Sequence, residues 1–114
     1  MSKLLSKKCV PCEGNVPPLG EKEIRKYLPE VPGWIISNSN KEISQEWKFK
    51  DFKRAMRFVN AVAMLAEFEG HHPDIHIWYN KVRLDLSTHA IKGLSINDFI
   101  LAAKINEIWK EHGS

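Results

Sequence analysis

The alternation of apolar and polar positions begins only after a stretch that has no sustained period. In residues 1–18 the breakers of regular structure are Pro11, Gly14, Pro17 and Pro18. We therefore predict an extended N-terminal arm over residues 1–18. The remaining residues, 19–114, are predicted to form a single domain.

A short helix and a hairpin are predicted at the start of this domain. The spacing of Ile24, Tyr27 and Leu28 gives one apolar helix face. Pro29 ends that helix, because proline disfavours helical backbone in the residue before it. Two strands follow, and the second alternates between apolar and polar side chains over residues 42–49. One face of the hairpin is therefore expected to be buried.

The helix in the middle of the chain has the clearest pattern. Apolar residues recur every three or four positions from Phe52 to Ala66. Asp51 can cap the start of this helix, and Gly70 can end it in the left-handed conformation. Alternation over residues 75–86 then predicts a second hairpin.

The last helix, which Ser95 and Asp98 can cap, has two apolar faces. One face consists of Ile96, Phe99, Ile100 and Ala103, and the other of Leu101, Ile105, Ile108 and Trp109. A helix on a single-layer sheet needs only one such face for its own domain. The second face therefore predicts contact with another subunit, and so an oligomer.

These elements together predict an α+β fold. Their order is helix-strand-strand-helix-strand-strand-helix, with three helices packed on one face of an antiparallel four-stranded sheet. A length of 114 residues and an apolar share of 43% are typical of one ordinary globular domain.

Charge and hydropathy exclude several classes of partner. The net charge of +3 comes from 17 basic and 14 acidic residues that are interleaved along most of the chain. No nucleic-acid partner is therefore predicted. The apolar runs are far shorter than the roughly 18 to 20 residues of a membrane span. We predict no membrane partner and a cytoplasmic location.

Cys9 and Cys12 form a C-x-x-C in the predicted arm. The spacing fits half of a four-ligand zinc site or a redox pair, but no second C-x-x-C is present. Pro17 and Pro18 also stand where a redox motif would have its helix. A metal or redox role is therefore the weaker alternative for this pair.

Histidine supplies the candidate chemistry. Four of the five histidines lie close together in the sequence, at His71, His72, His76 and His89. Imidazole can both give and take a proton near neutral pH. Glu67 lies one helical turn before His71, where its carboxylate can orient an imidazole. His89 follows the fourth strand, which can bring it back beside the loop at His71, so these groups are predicted to converge.

Two other interpretations of the histidines stay open. Three of the imidazoles could bind zinc, although the spacing argues against it because no H-E-x-x-H or similar motif is present. His71 and His72 could instead cap the end of the central helix or lie in solvent. Composition and spacing favour this plain interpretation as much as acid–base catalysis.

Four motifs, in order and spacing, resemble the pterin-4a-carbinolamine dehydratase family. They are E-x-x-x-H-H-P at residues 67–73, Y-N-K-V at residues 79–82, S-T-H at residues 87–89 and G-L-S-x-x-D at residues 93–98. The similarity runs from about Leu19 to Trp109 and includes Gly33 and Trp34, so the arm lies outside it.

The resemblance implies an enzyme that dehydrates 4a-hydroxytetrahydropterin to quinonoid dihydropterin. The product would be recycled for aromatic amino acid hydroxylases, and neither a metal nor an organic cofactor is implied. The implied catalytic residues are His71, His72 and His89. The implied substrate-binding residues are Glu67, Gly70, Pro73, Ser87, Thr88 and Trp34. One of the paired histidines would act as acid, while His89 would orient the ring or act as base.

Two positions depart from the family pattern. Gly70 stands where an acidic residue is common, and Ala90 stands where animal members commonly have glutamate. A missing carboxylate beside the pterin can change affinity or substrate preference. The resemblance also implies a homodimer or homotetramer. It further implies an alternative function, because some animal members are dimerisation cofactors of a homeodomain transcription factor. The second apolar face of the last helix would then bind the partner protein.

Overall fold

A computed structural model of the chain describes residues 3–10 and 17–112. The regular elements, in chain order, are α1 (Glu21–Tyr27), β1 (Ile35–Ile36), β2 (Ile43–Lys48), α2 (Phe52–Glu69), β3 (Asp74–Trp78), β4 (Lys81–Leu86) and α3 (Ile96–His112). Short 3-10 turns occur at Lys3–Ser6, Leu28–Glu30 and His89–Ile91. The predicted α+β order is confirmed. Among the helices of these described ranges, none is long and apolar enough to cross a membrane.

The four strands form one antiparallel sheet in the order β1-β2-β4-β3. Its centre is the pairing of β2 with β4, which joins the two predicted hairpins. The register places Ile43 opposite Leu86 and Trp47 opposite Val82. All four side chains are buried on the face that the helices cover. The opposite face carries the polar side chains, as the period-two pattern predicts.

Gln45 is the polar exception on the covered face of β2. Its Nε2 donates to Oδ1 of Asn106 on α3 at 3.0 Å. The indole N–H of Trp34 donates to the same oxygen at 3.0 Å. One amide on α3 therefore satisfies two buried donors, so Gln45 does not leave an unpaired polar group in the core.

Both ends of α2 are as the sequence predicts. Oδ1 of Asp51 accepts a hydrogen bond from the backbone N–H of Arg54 at 2.9 Å, which caps the helix start. Gly70 ends the helix in the left-handed conformation, with φ of 69°. Because glycine has no Cβ, it turns the chain out of the helix here without strain. The next residue, His71, starts the loop to β3.

Part of the second apolar face of α3 is buried within the chain, so the prediction that Leu101 and Ile105 contact another subunit is wrong. Leu101 and Ile105 are 0% exposed, and Ile108 and Trp109 pack against the same core. The N-terminal 3-10 turn also packs against α3. An apolar period shows that a face is covered, but the covering segment can come from a distant part of the same chain.

The described part of the N-terminal arm also requires a correction, because it is not extended throughout. It begins with the 3-10 turn at Lys3–Ser6, and Leu4 and Cys9 are buried in the hydrophobic core. Single apolar side chains that insert into a core leave no period in the sequence. Cys12 lies outside the described residues. The predicted boundary between arm and domain stays a prediction.

Candidate active site

His71 forms a buried pair with Asp98. The Nε2 atom of His71 lies 2.6 Å from Oδ1 of Asp98, which stands in the first turn of α3. The Asp98 side chain is 0% exposed and that of His71 12%. The end of α2 and the start of α3 are thus connected by an imidazole and a carboxylate that are almost closed off from water.

The second oxygen of Asp98 is also occupied. Its Oδ2 accepts from the hydroxyl of Thr88 at 2.8 Å and from the backbone N–H of Ser95 at 3.0 Å. A carboxylate only accepts hydrogen bonds, so Nε2 of His71 carries the proton of that contact. The other ring nitrogen, Nδ1, is then the atom that can exchange a proton with a ligand.

His72 forms a pair of its own with Glu67, the carboxylate that the sequence offered as a partner for an imidazole. Nε2 of His72 lies 2.5 Å from Oε2 of Glu67. Both side chains are exposed, at 58% for His72 and 79% for Glu67. Glu67 therefore orients His72 rather than His71. This pair is exposed to solvent.

His89 lies at the mouth of a recess after β4. The recess has a volume of about 350 Å³ and is lined by Lys41, Glu42, Ser87, Thr88, His89, Lys92 and Gly93. Pockets that bind small molecules usually have volumes of about 300 to 1,000 Å³. The predicted residues Ser87, Thr88 and His89 are thus brought together, with two lysines and a glutamate that the sequence did not single out.

Thr88 connects this recess to the buried pair. Its side chain lines the recess, and its hydroxyl donates to Asp98, which holds His71. The two histidine-bearing loops are therefore joined through Asp98 and Thr88. His71 and His72 are not among the residues that line the recess itself. Pro73, which follows them, is half-buried, and Gly70 is exposed.

Gly93 closes the loop of the recess against the start of the domain. Its carbonyl accepts from the backbone N–H of Thr88 at 2.8 Å. A Cβ at this position would lie 2.6 Å from Cβ of Pro18. Real Cβ atoms do not approach so closely, so only glycine fits between the loop and Pro18. The segment around Pro18 therefore supports the loop that presents His89.

Trp34, one of the implied substrate-binding residues, is placed in the core. Its side chain is 4% exposed, and its ring lies 5.7 Å from that of Trp47 in an edge-on contact. Its indole N–H is bonded to Asn106. This burial leaves little of the ring for a ligand, and a role of Trp34 in substrate binding stays a prediction.

His76 stands apart from the other histidines. Its Nε2 lies 2.8 Å from Oδ2 of Asp85 on the outer face of the sheet, and its ring stacks on Trp78. Within the described part of the chain, no three His, Cys, Asp or Glu side chains are grouped so that they could hold a metal ion. The alternative of a zinc site with three histidine ligands is therefore not formed among these residues.

Cys9 is not a reactive thiol in this structure. Burial, together with the negative charge of Glu69, raises its pKa to about 12. The thiolate is the form that binds metals and attacks disulfides, and here it is strongly disfavoured.

Comparison with known proteins identifies the family. A family model described as pterin 4 alpha carbinolamine dehydratase matches residues 17–108. The chain belongs to this family. A relative from Nitrosospira multiformis, whose name assigns it provisionally as a pterin-4-alpha-carbinolamine dehydratase, is 47% identical over 107 residues. The match spans 94% of this chain and 93% of the relative.

Two solved structures share the dehydratase-family fold. One, from Brucella melitensis, is a transcriptional coactivator/pterin dehydratase with 35% identity and a TM-score of 0.76, over 80% of this chain and 97% of that one. The other is a pterin dehydratase-like protein identified as a RuBisCO assembly factor in the alpha-carboxysome. With 21% identity and a TM-score of 0.60 over 75% of this chain and 95% of that one, it shows the fold alone.

Asp98 is the residue of the candidate site whose place the sequence did not reveal. Its spacing from Ser95 predicted a helix cap, and that contact is present. The stronger feature is its contact with His71, 27 residues away. The only available signal was that Asp98 closes the last of the four motifs that resemble the family.

Proposed function

We propose that the chain dehydrates 4a-hydroxytetrahydropterin to quinonoid dihydropterin by histidine acid–base catalysis. The observation that supports this most directly is the connection from His71 through Asp98 and Thr88 to the recess beside His89. The relative from Nitrosospira and the Brucella protein both carry names of that activity. The loop after α2 and the loop after β4 therefore hold imidazoles at one end of the fold. This arrangement occurs in a chain of the dehydratase family.

The proposed reaction requires two proton transfers. The C4a–O bond breaks as the hydroxyl leaves with an added proton as water, and a double bond forms between C4a and N5 as N5 loses its proton. Hydroxide is a poor leaving group near neutral pH, so a positioned acid lowers the barrier. Each positioned acid or base typically contributes about 100- to 10,000-fold, or roughly 3 to 5 kcal/mol.

The histidines that would perform these two proton transfers lie in different environments. Asp98 holds Nε2 of His71, so its Nδ1 is the group available to exchange a proton. His72 is exposed and oriented by Glu67. We assign the acid to one of these two residues, while His89 binds and orients the ring in the recess or acts as base. Lys41, Glu42 and Lys92 supply the recess with charged groups that can hydrogen-bond the polar edge of a heterocycle.

A stopped-flow measurement of carbinolamine dehydration tests this function. The purified protein in EDTA is expected to accelerate the loss of the hydroxyl from synthetic carbinolamine. Replacing His72 and His89 together with alanine should slow the catalysed reaction by at least about 100-fold. The matched control is His76→Ala, because His76 is also paired with an aspartate but lies on the outer face of the sheet. A wild-type rate in the double variant would falsify the assignment.

We also propose that the chain associates with a second copy through apolar side chains on the outside of α2. Met64 is 76% exposed, Phe68 70% and Phe52 49%, which is unusual for three large apolar residues on one helix. This surface replaces the face of α3, whose Leu101 and Ile105 are buried and cannot serve a partner protein. On α3, only the partly buried Ile108 and Trp109 of the predicted face remain for a partner protein.

Light scattering after size exclusion tests the association. At micromolar concentration we expect a mass of at least twice 13.2 kDa, and Met64→Lys should reduce it towards the monomer. Lys22→Glu, a charge change at an exposed position of α1, is the control. A wild-type protein that elutes only as a monomer contradicts the proposal.

A further inference from the structure

The N-terminal arm contacts both elements that hold the His71–Asp98 pair. The backbone N–H of Cys9 donates to Oε1 of Glu69 at 2.8 Å, and Glu69 is the last residue of α2. Val10 is bonded to the side chain of Asn97, one residue before Asp98. The arm therefore spans the gap between the end of α2 and the start of α3.

Asn97 binds the main chain of Val10 with both atoms of its amide. Its Oδ1 accepts from the Val10 N–H at 3.0 Å, and its Nδ2 donates to the Val10 carbonyl at 2.6 Å. Asn97 is 2% exposed, although Val10 itself is largely exposed. Undocking of the arm would leave the buried amide of Asn97 without these partners, so it is opposed at this point.

Glu69 connects the arm and both helices. Its Oε1 binds the Cys9 N–H, and its Oε2 lies 2.6 Å from Nζ of Lys104 on α3. Burial alone raises the pKa of the Glu69 carboxyl, but the hydrogen bonds from Lys104 and Cys9 outweigh it and lower the pKa. The carboxylate is therefore charged in the interior, and breaking either contact leaves one of its buried oxygens without a partner.

None of the residues in these contacts lines the recess beside His89, yet the contacts lie next to the pair. Glu69 is two residues before His71, and Asn97 directly precedes Asp98. Lys104 and Asn97 are seven residues apart, so they lie on one face of α3 about two turns from each other. A shift of about 1 Å between catalytic groups can cost about 100-fold in rate, so the separation of the two helix ends matters.

We propose that Glu69 and Asn97 are positioning residues: by binding the main chain of the arm, they fix the end of α2 against the start of α3 and so hold His71 on Asp98. The arm is thus part of the catalytic framework and not only an appendage of the domain. This inference rests on the proposed function in so far as His71 transfers a proton.

The test measures the turnover and the ring of His71 in the same variants. Glu69→Ala and Asn97→Ala are expected to lower kcat by about 10-fold or more, with KM within about twofold. The ring of His71 should titrate at a changed midpoint in NMR spectra, while that of His76 should not change. Glu46→Gln, which removes an ion pair with Lys81 on the outer sheet face, is the matched control and should behave as wild type.

Two further variants separate positioning from stability. Val10→Pro removes one donor to Asn97 without changing either helix and should lower kcat by about threefold. Glu69→Gln combined with Lys104→Met keeps an acceptor for the backbone N–H of Cys9 and removes the charge pair. Compared with Glu69→Ala, this double variant should therefore recover most of the wild-type turnover and the wild-type titration of His71. A purely structural role would lower the urea midpoint but leave kcat per folded molecule and the His71 titration unchanged, and that result overturns the proposal.

The NMR titration needs no substrate, so it decides the positioning role independently of the reaction. If the wild-type protein does not dehydrate carbinolamine, the proposed function fails. A displaced His71 titration in Glu69→Ala would still establish that the arm positions the pair. Wild-type turnover and an unchanged titration in both alanine variants would refute it.

Discussion

The adjacent histidines His71 and His72 form carboxylate pairs of nearly equal length in opposite environments. His71 is 2.6 Å from a fully buried Asp98, and His72 is 2.5 Å from a Glu67 that is 79% exposed. Distance alone would rank the pairs as equal. Burial and the further donors on Asp98 distinguish them.

The difference follows from what surrounds each carboxylate. Asp98 also accepts from Thr88 and from the backbone of Ser95, so its orientation is fixed from three directions. Exposed ion pairs contribute only about 0 to 1 kcal/mol, because water competes and two side chains must be ordered. We infer that the protein fixes His71 and leaves His72 free to adjust. One rigid and one adaptable imidazole suit the proposed substrate, which would change shape as it loses water.

Removing the carboxylate of the buried pair or of the exposed pair should give the largest difference in stability. Asp98→Ala leaves the buried donors of His71, Thr88 and Ser95 without an acceptor, so the free energy of unfolding should fall by about 3 kcal/mol or more. Glu67→Ala should change it by less than about 1 kcal/mol. Urea unfolding of both variants measures the difference. Equal losses would mean that burial does not separate the two pairs.

A more conservative change isolates the chemistry. Asp98→Asn keeps the shape but presents an N–H to one of the three donors, so His71 loses its tautomer or its orientation. We expect kcat to fall by about 100-fold or more, in line with the loss seen when the aspartate of a catalytic histidine is replaced. Asp85→Asn is the control, because Asp85 also pairs with a histidine, His76. Similar losses in both variants would contradict a special role for Asp98.

The exposed pair should respond weakly. Glu67→Gln should lower kcat by less than about 10-fold, and the effect should shrink as salt is added, since solvent ions screen an exposed pair. Stopped-flow rates at low and high ionic strength provide the measurement. A loss as large as that of Asp98→Asn, independent of salt, would reverse the ranking of the two histidines.

The buried carboxylates should also make the protein sensitive to acid. For Asp85, burial raises the pKa, but hydrogen bonds from Ser44, Arg83 and His76 lower it overall, and the pKa of Glu69 is lowered as well. Their stabilisation is present above the unfolded values of about 3.9 and 4.3 and is lost as pH falls through the lower folded values. The urea midpoint should therefore decrease below about pH 4.5. The decrease should be shallower in Glu69→Gln, and a flat profile in the wild type would be inconsistent with these shifts.

The sequence predicts the local elements well because their causes are local. The cap at Asp51, the left-handed stop at Gly70 and the alternation along β2 each depend on residues within a few positions. The partner of a buried carboxylate depends on the whole fold instead. Asp98 meets His71, and Glu69 meets Cys9, across long stretches of chain, and no spacing rule contains those contacts.

Contacts between distant parts of the chain also account for the burial of the second face of α3 and of Trp34, which the sequence did not predict. The second face of α3 is apolar because the core and the N-terminal 3-10 turn cover it, and Leu4 inserts into that core without any surrounding period. Trp34 lies in a motif that resembles the family, but a motif does not state whether a tryptophan packs or binds. Its indole N–H is already bonded to Asn106.

NMR spectra of the five histidine rings during titration with an unreactive reduced-pterin analogue examine the proposed site directly. We expect the ring signals of His71, His72 and His89 to shift together and to saturate at the same ligand concentration. His76 and His112 should stay constant as internal references. Saturable binding that leaves the rings of His71 and His72 unchanged would show that the ligand does not meet the histidines after α2, and would contradict the proposed mechanism.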